Sequence, residues 1–461
     1  MTAVRHWARV KSARPAPKAV RTPCNDPAVN AAAPTIATAE LRVGMFVHLD
    51  LGWMSHPFAL SSFRITDAQQ IATIRSLGLA RVRWSPEQSQ AELPAGAAES
   101  KPAVDATLPA TPPNAAAPAA SAVRDSSARQ TLRRTVVAQR EAAALVERQY
   151  AEASRDWRQA ADLALVEPHD AGQRLGALSH ALVVKMLDAR ELSIRAVAIA
   201  PGDRAGHPMN VGVISLLLGR QCGLAEAEMA DLGVGALAHD IGKLELPPSL
   251  HHPDEGWSRA ELAHYREHVP LGVALGKRMG LAPGALLVVG QHHEHCDGSG
   301  FPQGVNAHRM SLPSRLVALV NHYDNLCRPA RGLTPHEALS LLFAHGQRRF
   351  DQTLLNAFVR MMGVYPPGSV VQLTDDRWAV VESVSASRPL KPKVTVHQPG
   401  VPSDETPLLD LALEPAIGIR RSLAADQLPP SVRLQLLPGT RTAWFFEATD
   451  DDADHGAPTQ H

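Results

Sequence analysis

Eleven residues, His292-His293-Glu294-His295-Cys296-Asp297-Gly298-Ser299-Gly300-Phe301-Pro302, constrain this chain more than any other stretch. They combine three imidazoles, two carboxylates, two glycines and a proline. Neutral imidazole and ionised oxygen are the ligands that divalent first-row metals take. The Gly-Ser-Gly-Phe-Pro end predicts a tight loop with unusual backbone angles beside such a centre. A second cluster, Ala238-His239-Asp240-Ile241-Gly242-Lys243, lies upstream. Two such clusters in one helical region point to a hydrolytic metal site.

The region from 166 to 365 reads as that helical domain. A buried helix is expected to begin near His207, a second to run from Met229 to Ile241, and others from Leu286 to Glu294 and from Leu316 to Leu326. Ahead of it, residues 131–165 are free of Gly and Pro and rich in Ala, Arg, Glu and Gln. They read as a connector helix, solvated or dimerising, because their apolar spacing is irregular. Residues 38–86 read as a small α+β sensory or docking module. Leu41–Leu49 alternates like a strand, Asp67 is set to cap a helix bearing Ile71, Ile74 and Leu77, Gly78 ends that helix, and Leu79–Trp84 reads as another strand. Trp53, Phe58 and Phe63 are available for its core. Residues 87–130 form an Ala/Pro-rich linker and 1–37 a basic Ala/Pro-rich disordered tail. Short alternating runs over 366–440 predict a small β appendage, followed by an acidic tail over 441–461. The fold class expected is mainly α: a helical bundle with a small N-terminal α+β module and a small C-terminal β appendage.

Composition excludes several functions. Lys+Arg and Asp+Glu balance at 46 each, so there is no global pull toward a nucleic-acid polymer or an anionic membrane. No apolar run is long enough for a membrane span. The four cysteines form no CxxC pair, which argues against a disulfide framework or thiolate zinc site and suits the reducing cytoplasm.

The chemistry follows from the two clusters. An adjacent His-Asp pair on a helix offers nitrogen and oxygen about 100° apart, so Asp240 can bridge two ions while His239 binds one. His207, His268, His292 and His293 can complete the shells from separate helices. Two ions there stabilise an in-line displacement at phosphorus, and mixed His/carboxylate ligation suits Fe, Mn or Zn over Mg or Ca. Lys243, a turn beyond Asp240, can hold a phosphate oxygen or protonate a leaving oxygen. Arg328 and Arg331 can clamp phosphate. A lone His-Asp doublet is more often a capped or surface pair; it is the second cluster that shifts the balance. His251, His252, His264, His295, His308, His322, His336 and His345 read as surface or outer groups.

These residues resemble the HD-GYP family, a branch of the HD phosphohydrolases, over about residues 200 to 362. The resemblance implies an HD-type bundle with His207, His239, Asp240, His268, His292 and His293 as metal ligands and Lys243 as the phosphate-contacting lysine. The naming loop stands as Gly300-Phe301-Pro302, with Phe for Tyr. The resemblance further implies a cyclic di-GMP phosphodiesterase with two or three divalent ions, iron or manganese, giving pGpG and then GMP. Asp240 and Lys243 take the catalytic roles. Lys243, Arg328, Arg331, Asp297, Gly298 and Gly300 are the substrate contacts implied, and Asp203 serves as a further ligand in a trinuclear site. The N-terminal module resembles an uncharacterised domain often found ahead of HD-GYP domains in bacteria. Expected partners are the cyclic dinucleotide, and a signalling protein or a second copy of the chain.

Three departures stand out. The family's last ligand, an Asp, is Asn321 here, a neutral amide, and Asp324 one turn on is the carboxylate that could replace it at the ion. The Arg loop, Cys327-Arg328-Pro329-Ala330-Arg331, is short. The residues before His207 lack the usual aromatic-Thr pair. Two other readings therefore stay open: a degenerate module that binds cyclic di-GMP or a signalling partner without turnover, and a phosphohydrolase of another nucleotide.

Overall fold

The computed structural model describes residues 34–52, 55–58, 61–89, 118–253, 256–401, 406, 408–437 and 441–449, with the backbone alone over 118–133. The basic stretch up to residue 33, linker residues 90–117, Trp53 and the tail from 450 onward lie outside them. The chain divides into two units, 1–50 with 62–98, and 51–61 with 99–461.

The first unit is a four-stranded antiparallel sheet with one helix. Its strands β1 (Thr35–Ala37), β2 (Phe46–His48), β3 (Ser62–Arg64) and β4 (Arg81–Ser85) lie in the order β1-β4-β2-β3. Val47 pairs with Phe63 on one side and Trp84 on the other, so alternation brings apolar side chains to one face. Helix α1 (Ala68–Ser76) starts where Asp67 accepts from the Gln70 amide at 2.9 Å. It buries Ile71 and Ile74, and Gly78 follows with φ +73°. Leu41, Val47, Phe63, Ile65 and Val82 complete this core. Phe58, also buried, belongs to the second unit. Strand β1 starts inside the residues read as tail.

The second unit opens with α2 (Pro118–Leu163), α3 (Pro168–Asp188) and β5 (Glu191–Ile199). The helix α2 begins inside the segment read as linker and is packed rather than solvated along its second half. Val146, Tyr150, Ala153, Trp157, Ala160 and Ala164 are buried at alternating spacings of four and three, and Trp157 Nε1 donates to the Leu237 carbonyl at 2.9 Å. The stripe looked irregular in sequence because half of it is alanine, which composition does not separate from helix-forming filler. The bundle continues through α4 (Gly206–Gln221), α5 (Glu226–Ala238), α6 (Arg259–Arg266), α7 (His268–Arg278), α8 (Pro283–Gln291), α9 (Leu312–Leu326), α10 (Pro335–His345) and α11 (Gln352–Met362). Helix α4 is buried on every side from Gly206 to Gly219, which fits its unbroken apolar run. The molecule is mainly α, with an HD-type bundle as its centre.

The C-terminal sheet is formed by β6 (Val370–Leu373), β7 (Trp378–Ser385), β8 (Lys393–Val396), β9 (Leu408–Asp410) and β10 (Ile419–Leu423), with α12 (Pro430–Leu436) and then β11 (Arg441–Thr449). Its main path runs β10-β6-β7-β5-β11, with β8 and β9 branching from β7. Residues 441–449, read as the start of an acidic tail, are therefore a strand. They pair along their whole length with β5, from Arg441 opposite Ile199 to Thr449 opposite Glu191. The run Ala443-Trp444-Phe445-Phe446 explains this, since all four residues are buried and the acidic residues begin only after them. Trp444 stacks on Tyr323 of α9 with ring centres 5.4 Å apart, so the sheet reaches the bundle core.

Candidate metal centre

Helix ends place the site. His207 lies in the first turn of α4. His239 is the C-cap of α5 and His292 the C-cap of α8. His268 is the first residue of α7. Asp240 leads into a 3-10 turn, Ile241–Glu245, that carries Lys243. This turn meets α7 closely: a Cβ on Gly242 would stand 2.0 Å from the His268 carbonyl oxygen and 2.4 Å from the Gly272 amide. Only glycine permits that approach, which sets His268 beside Asp240.

Three imidazoles are aimed by the same local device. The Nδ1–H groups of His239, His268 and His292 donate to the carbonyls of Ala236, Tyr265 and Val289, at 2.7, 2.5 and 2.7 Å. A carbonyl can only accept, so each ring keeps its proton on Nδ1 and turns an Nε2 lone pair inward. His207 is held differently, by Asp324 Oδ2 at 2.5 Å from its Nδ1.

The inward nitrogens meet around one carboxylate. Asp240 Oδ2 lies 3.4 Å from His207 Nε2 and 3.5 Å from His239 Nε2. Its Oδ1 lies 3.5 Å from His268 Nε2 and 3.6 Å from His292 Nε2. Two ligand groups result, His207–His239–Asp240 and Asp240–His268–His292–His293, with Asp240 common to both. Lone pairs also face one another, with Nε2 atoms 3.1 Å apart between His207 and His239 and 3.3 Å apart between His268 and His292. One ring of each pair is held neutral. Burial lowers His239 to about 4 and His268 to about 3, against the opposing pull of Asp240, and it holds His293 well below the usual imidazole range. Burial would raise the Asp240 carboxyl, yet Lys243 and His239 hold it well below the usual carboxylate range. Its buried Oδ1 takes no hydrogen bond. Imidazoles converging on an ionised, unsatisfied oxygen fit divalent cations on either side of Asp240.

The remaining sequence candidates are placed as follows. Asn321 is buried, and its Oδ1 accepts from Asn325 Nδ2 at 2.8 Å. Asp324, expected as a replacement ligand, belongs to neither ligand group. It sits behind His207, with its other oxygen taken by Asn210 Nδ2 at 2.7 Å. Asp203 lies in neither ligand group; its Oδ1 binds Arg158 at 2.8 Å and the Ala205 amide at 3.0 Å. Lys243 Nζ is 2.6 Å from Asp240 Oδ2 and 5.3 Å from the centre of the Tyr265 ring. The two arginines part company. Arg328 lies 3.2 Å from His252 Nδ1, whereas Arg331 lines a cavity of about 290 Å³ with His322, Arg349 and Phe350.

In the loop, Asp297 Oδ1 accepts from the Ser299 amide at 2.9 Å and Gly298 has φ +78°. A Cβ on Gly300 would stand 2.4 Å from Glu294 Cα. Phe301 thereby stacks on His293, ring centres 4.4 Å apart. Buried Glu294 ties the loop down by accepting from the amides of Gln303 and Val305 at 2.7 and 3.1 Å. Sequence reasoning missed Tyr265, Asn210 and the buttressing role of Asp324; His252 was read as a surface or outer group. His252 is lowered to about 4 by burial, Arg328 and Lys243, and so belongs to the site's surroundings. Tyr265 carries no ligand chemistry, yet its carbonyl aims His268 and its hydroxyl lies 3.4 Å from His293 Nε2.

Residues 191–354 match the family model described as HD domain, and residues 34–163 match a domain of unknown function, DUF3391. A cyclic di-GMP phosphodiesterase of Pseudomonas aeruginosa, PA4108, is 29% identical over 372 residues, covering 78% of this chain and 84% of that protein. The 3'3'-cGAMP-specific phosphodiesterase 3 of Vibrio cholerae is 32% identical over 171 residues, covering 35% of this chain and 36% of that protein. Among solved structures, an HDG"Y"P protein of Bdellovibrio bacteriovorus, Bd1817, aligns at 15% identity and TM-score 0.38, covering 70% of this chain and 97% of that one. Residues 191–354 are thus an HD domain, carried behind a DUF3391 domain, and the chain is similar over most of its length to a cyclic di-GMP phosphodiesterase.

Proposed function

We propose that the protein is a metal-dependent phosphodiesterase of cyclic dinucleotides that opens cyclic di-GMP to linear pGpG and then to GMP. One observation carries the reading: the two oxygens of Asp240 face two separate sets of inward-facing imidazoles, Oδ2 one set and Oδ1 the other. Such a set suits two ions, iron or manganese, which supply Lewis acidity to the phosphodiester oxygens and to the attacking water. His207 and His239 would hold one and His268, His292 and His293 the other, with Asp240 between.

The protein's own groups do the rest. Lys243 reaches the centre from the 3-10 turn, where its ammonium is placed to hold a non-bridging phosphate oxygen or to give a proton to the leaving ribose oxygen. Arg328, beside His252, takes the second phosphate. Phe301 lies flat on His293, and Arg266 lies 5.0 Å from the centre of the Phe301 ring. That wall keeps the imidazoles ordered and dry. Cys222, Cys296 and Cys327 are outside any disulfide among the described residues, in keeping with work in the cytoplasm.

Asn321 favours a second reading, a module that binds the dinucleotide without cleaving it, because the amide removes a negative charge from the ligand position. The similarity to a cGAMP phosphodiesterase adds 3'3'-cGAMP as a competing substrate. The test is anaerobic incubation of Mn- or Fe-loaded protein with each dinucleotide, with chromatography of the products. A His239→Ala/Asp240→Ala variant runs beside it. The expected result is pGpG, then GMP, from the intact site alone. Binding of cyclic di-GMP without product moves the weight to the binding module, and faster cleavage of 3'3'-cGAMP changes the substrate.

A further inference from the structure

We infer that Asp324 is a positioning residue for the ion at the His207–His239 side, supplying through His207 the negative charge that Asn321 no longer supplies directly. The inference rests on the metal-holding reading of the centre. Asn321 and Asp324 lie one turn apart on α9 and both are buried. The neutral side chain has the ligand position; the charged one stands behind a ligand. Asp324 Oδ2 holds His207 Nδ1 at 2.5 Å, and the opposite nitrogen of that ring faces His239 Nε2 at 3.1 Å and Asp240 Oδ2 at 3.4 Å. A carboxylate on the far nitrogen fixes the tautomer and raises the basicity of the near one.

The pair is itself braced. Asn210, one turn along α4 from His207, donates to Asp324 Oδ1 at 2.7 Å and accepts from the Trp444 amide at 2.9 Å. A chain of three hydrogen bonds thus runs from β11 through Asn210 and Asp324 to His207. The opposite side of the centre has no such dependence, since backbone carbonyls aim His268 and His292. The His207 side also offers three ligand groups against four on the other, so its ion is the more weakly held of the two, and its affinity depends on Asp324.

The test is Mn(II) binding by the full chain, with stoichiometry read by elemental analysis and affinity by equilibrium dialysis. Wild type is expected to bind two ions with unequal affinities. In Asp324→Asn the weaker ion should bind about 10- to 100-fold less tightly, with the tighter ion unchanged and serving as the internal control for folding. Asn321→Asp should tighten the weaker ion, and the double variant should regain two. Asn210→Ala, which leaves Asp324 in place but loosens it, should weaken the same ion by a smaller factor. Unchanged affinities in Asp324→Asn, equal weakening of both ions, or fewer than two ions in wild type would each overturn the inference. Turnover is not read. Two ions with one lost in Asp324→Asn would sustain the inference even if no dinucleotide were cleaved, a result that would sink only the enzymatic reading.

Discussion

The two sides of the metal centre are built by different means. On the α7–α8 side, His268 and His292 are each held by a carbonyl three residues earlier in the chain. On the α4–α9 side, His207 is held by a carboxylate 117 residues away. His239 is aimed like the first pair yet faces His207. Local buttressing comes with forming the helix end, so it survives changes elsewhere. Distant buttressing requires α4, α9 and β11 to be assembled first. The first kind gives a ligand set that tolerates substitution of its surroundings, the second one that can be tuned from outside.

The largest expected effect removes the distinction altogether. Asp240→Ala takes the shared oxygens from both sides, so metal content should fall from two ions to none and cleavage to the uncatalysed background. Retention of one full ion in that variant would show that Asp240 does not bridge. Next come the variants that separate the sides. His239→Ala should empty the His207 side and leave the other ion in place, and His268→Ala the reverse, both read by elemental analysis. Loss of both ions in either variant would mean that the sides do not act independently.

Glu294→Ala probes the loop beside the locally built side. It leaves the Gln303 and Val305 amides without their acceptor, at about 1–3 kcal/mol for the buried Val305 donor and less for the part-buried Gln303. A fall in Tm is expected, with metal content nearly unchanged.

A pH effect follows from the buried imidazoles in metal-free protein. The unfolded chain takes up protons near pH 6.5, whereas folded His239 and His268 stay neutral down to about 4 and about 3. Between these limits the unfolded state binds more protons, so stability falls as pH drops from about 6.5 toward 4. Thermal unfolding of the chelated protein at pH 7.5 and 5 measures it, and equal Tm values would contradict the neutral assignment. The smallest change is Tyr265→Phe, which removes a 3.4 Å hydroxyl contact with His293 and keeps the carbonyl that aims His268. It should cost under about 1 kcal/mol in stability and leave both ions bound.

Much of this was legible in the chain. The capped helix after Asp67, the buried helix from His207 and the convergence expected of His239, Asp240, His268, His292 and His293 all follow from local pattern and from the limited chemistry of imidazole and carboxylate. Other features were not. The packed stripe on α2 was hidden because alanine looks like filler. Strand β11 was hidden because its apolar run directly precedes an acidic tail. Asp324 was expected at the ion, because one helical turn fixes which face a side chain is on and says nothing of what another helix brings to that face.

The sequence by itself determined which groups could bind a metal, that separate helices would carry them, and that the Gly-Ser-Gly-Phe-Pro run would form a tight loop beside them. Those properties reside in residue type and in spacing along a few turns. Only the tertiary structure decided that Asp240 faces both ligand sets, that Asp324 stands behind His207, and that a C-terminal strand braces the pair. These depend on distances between segments far apart in the chain, which packing of the whole second unit fixes and no local pattern encodes.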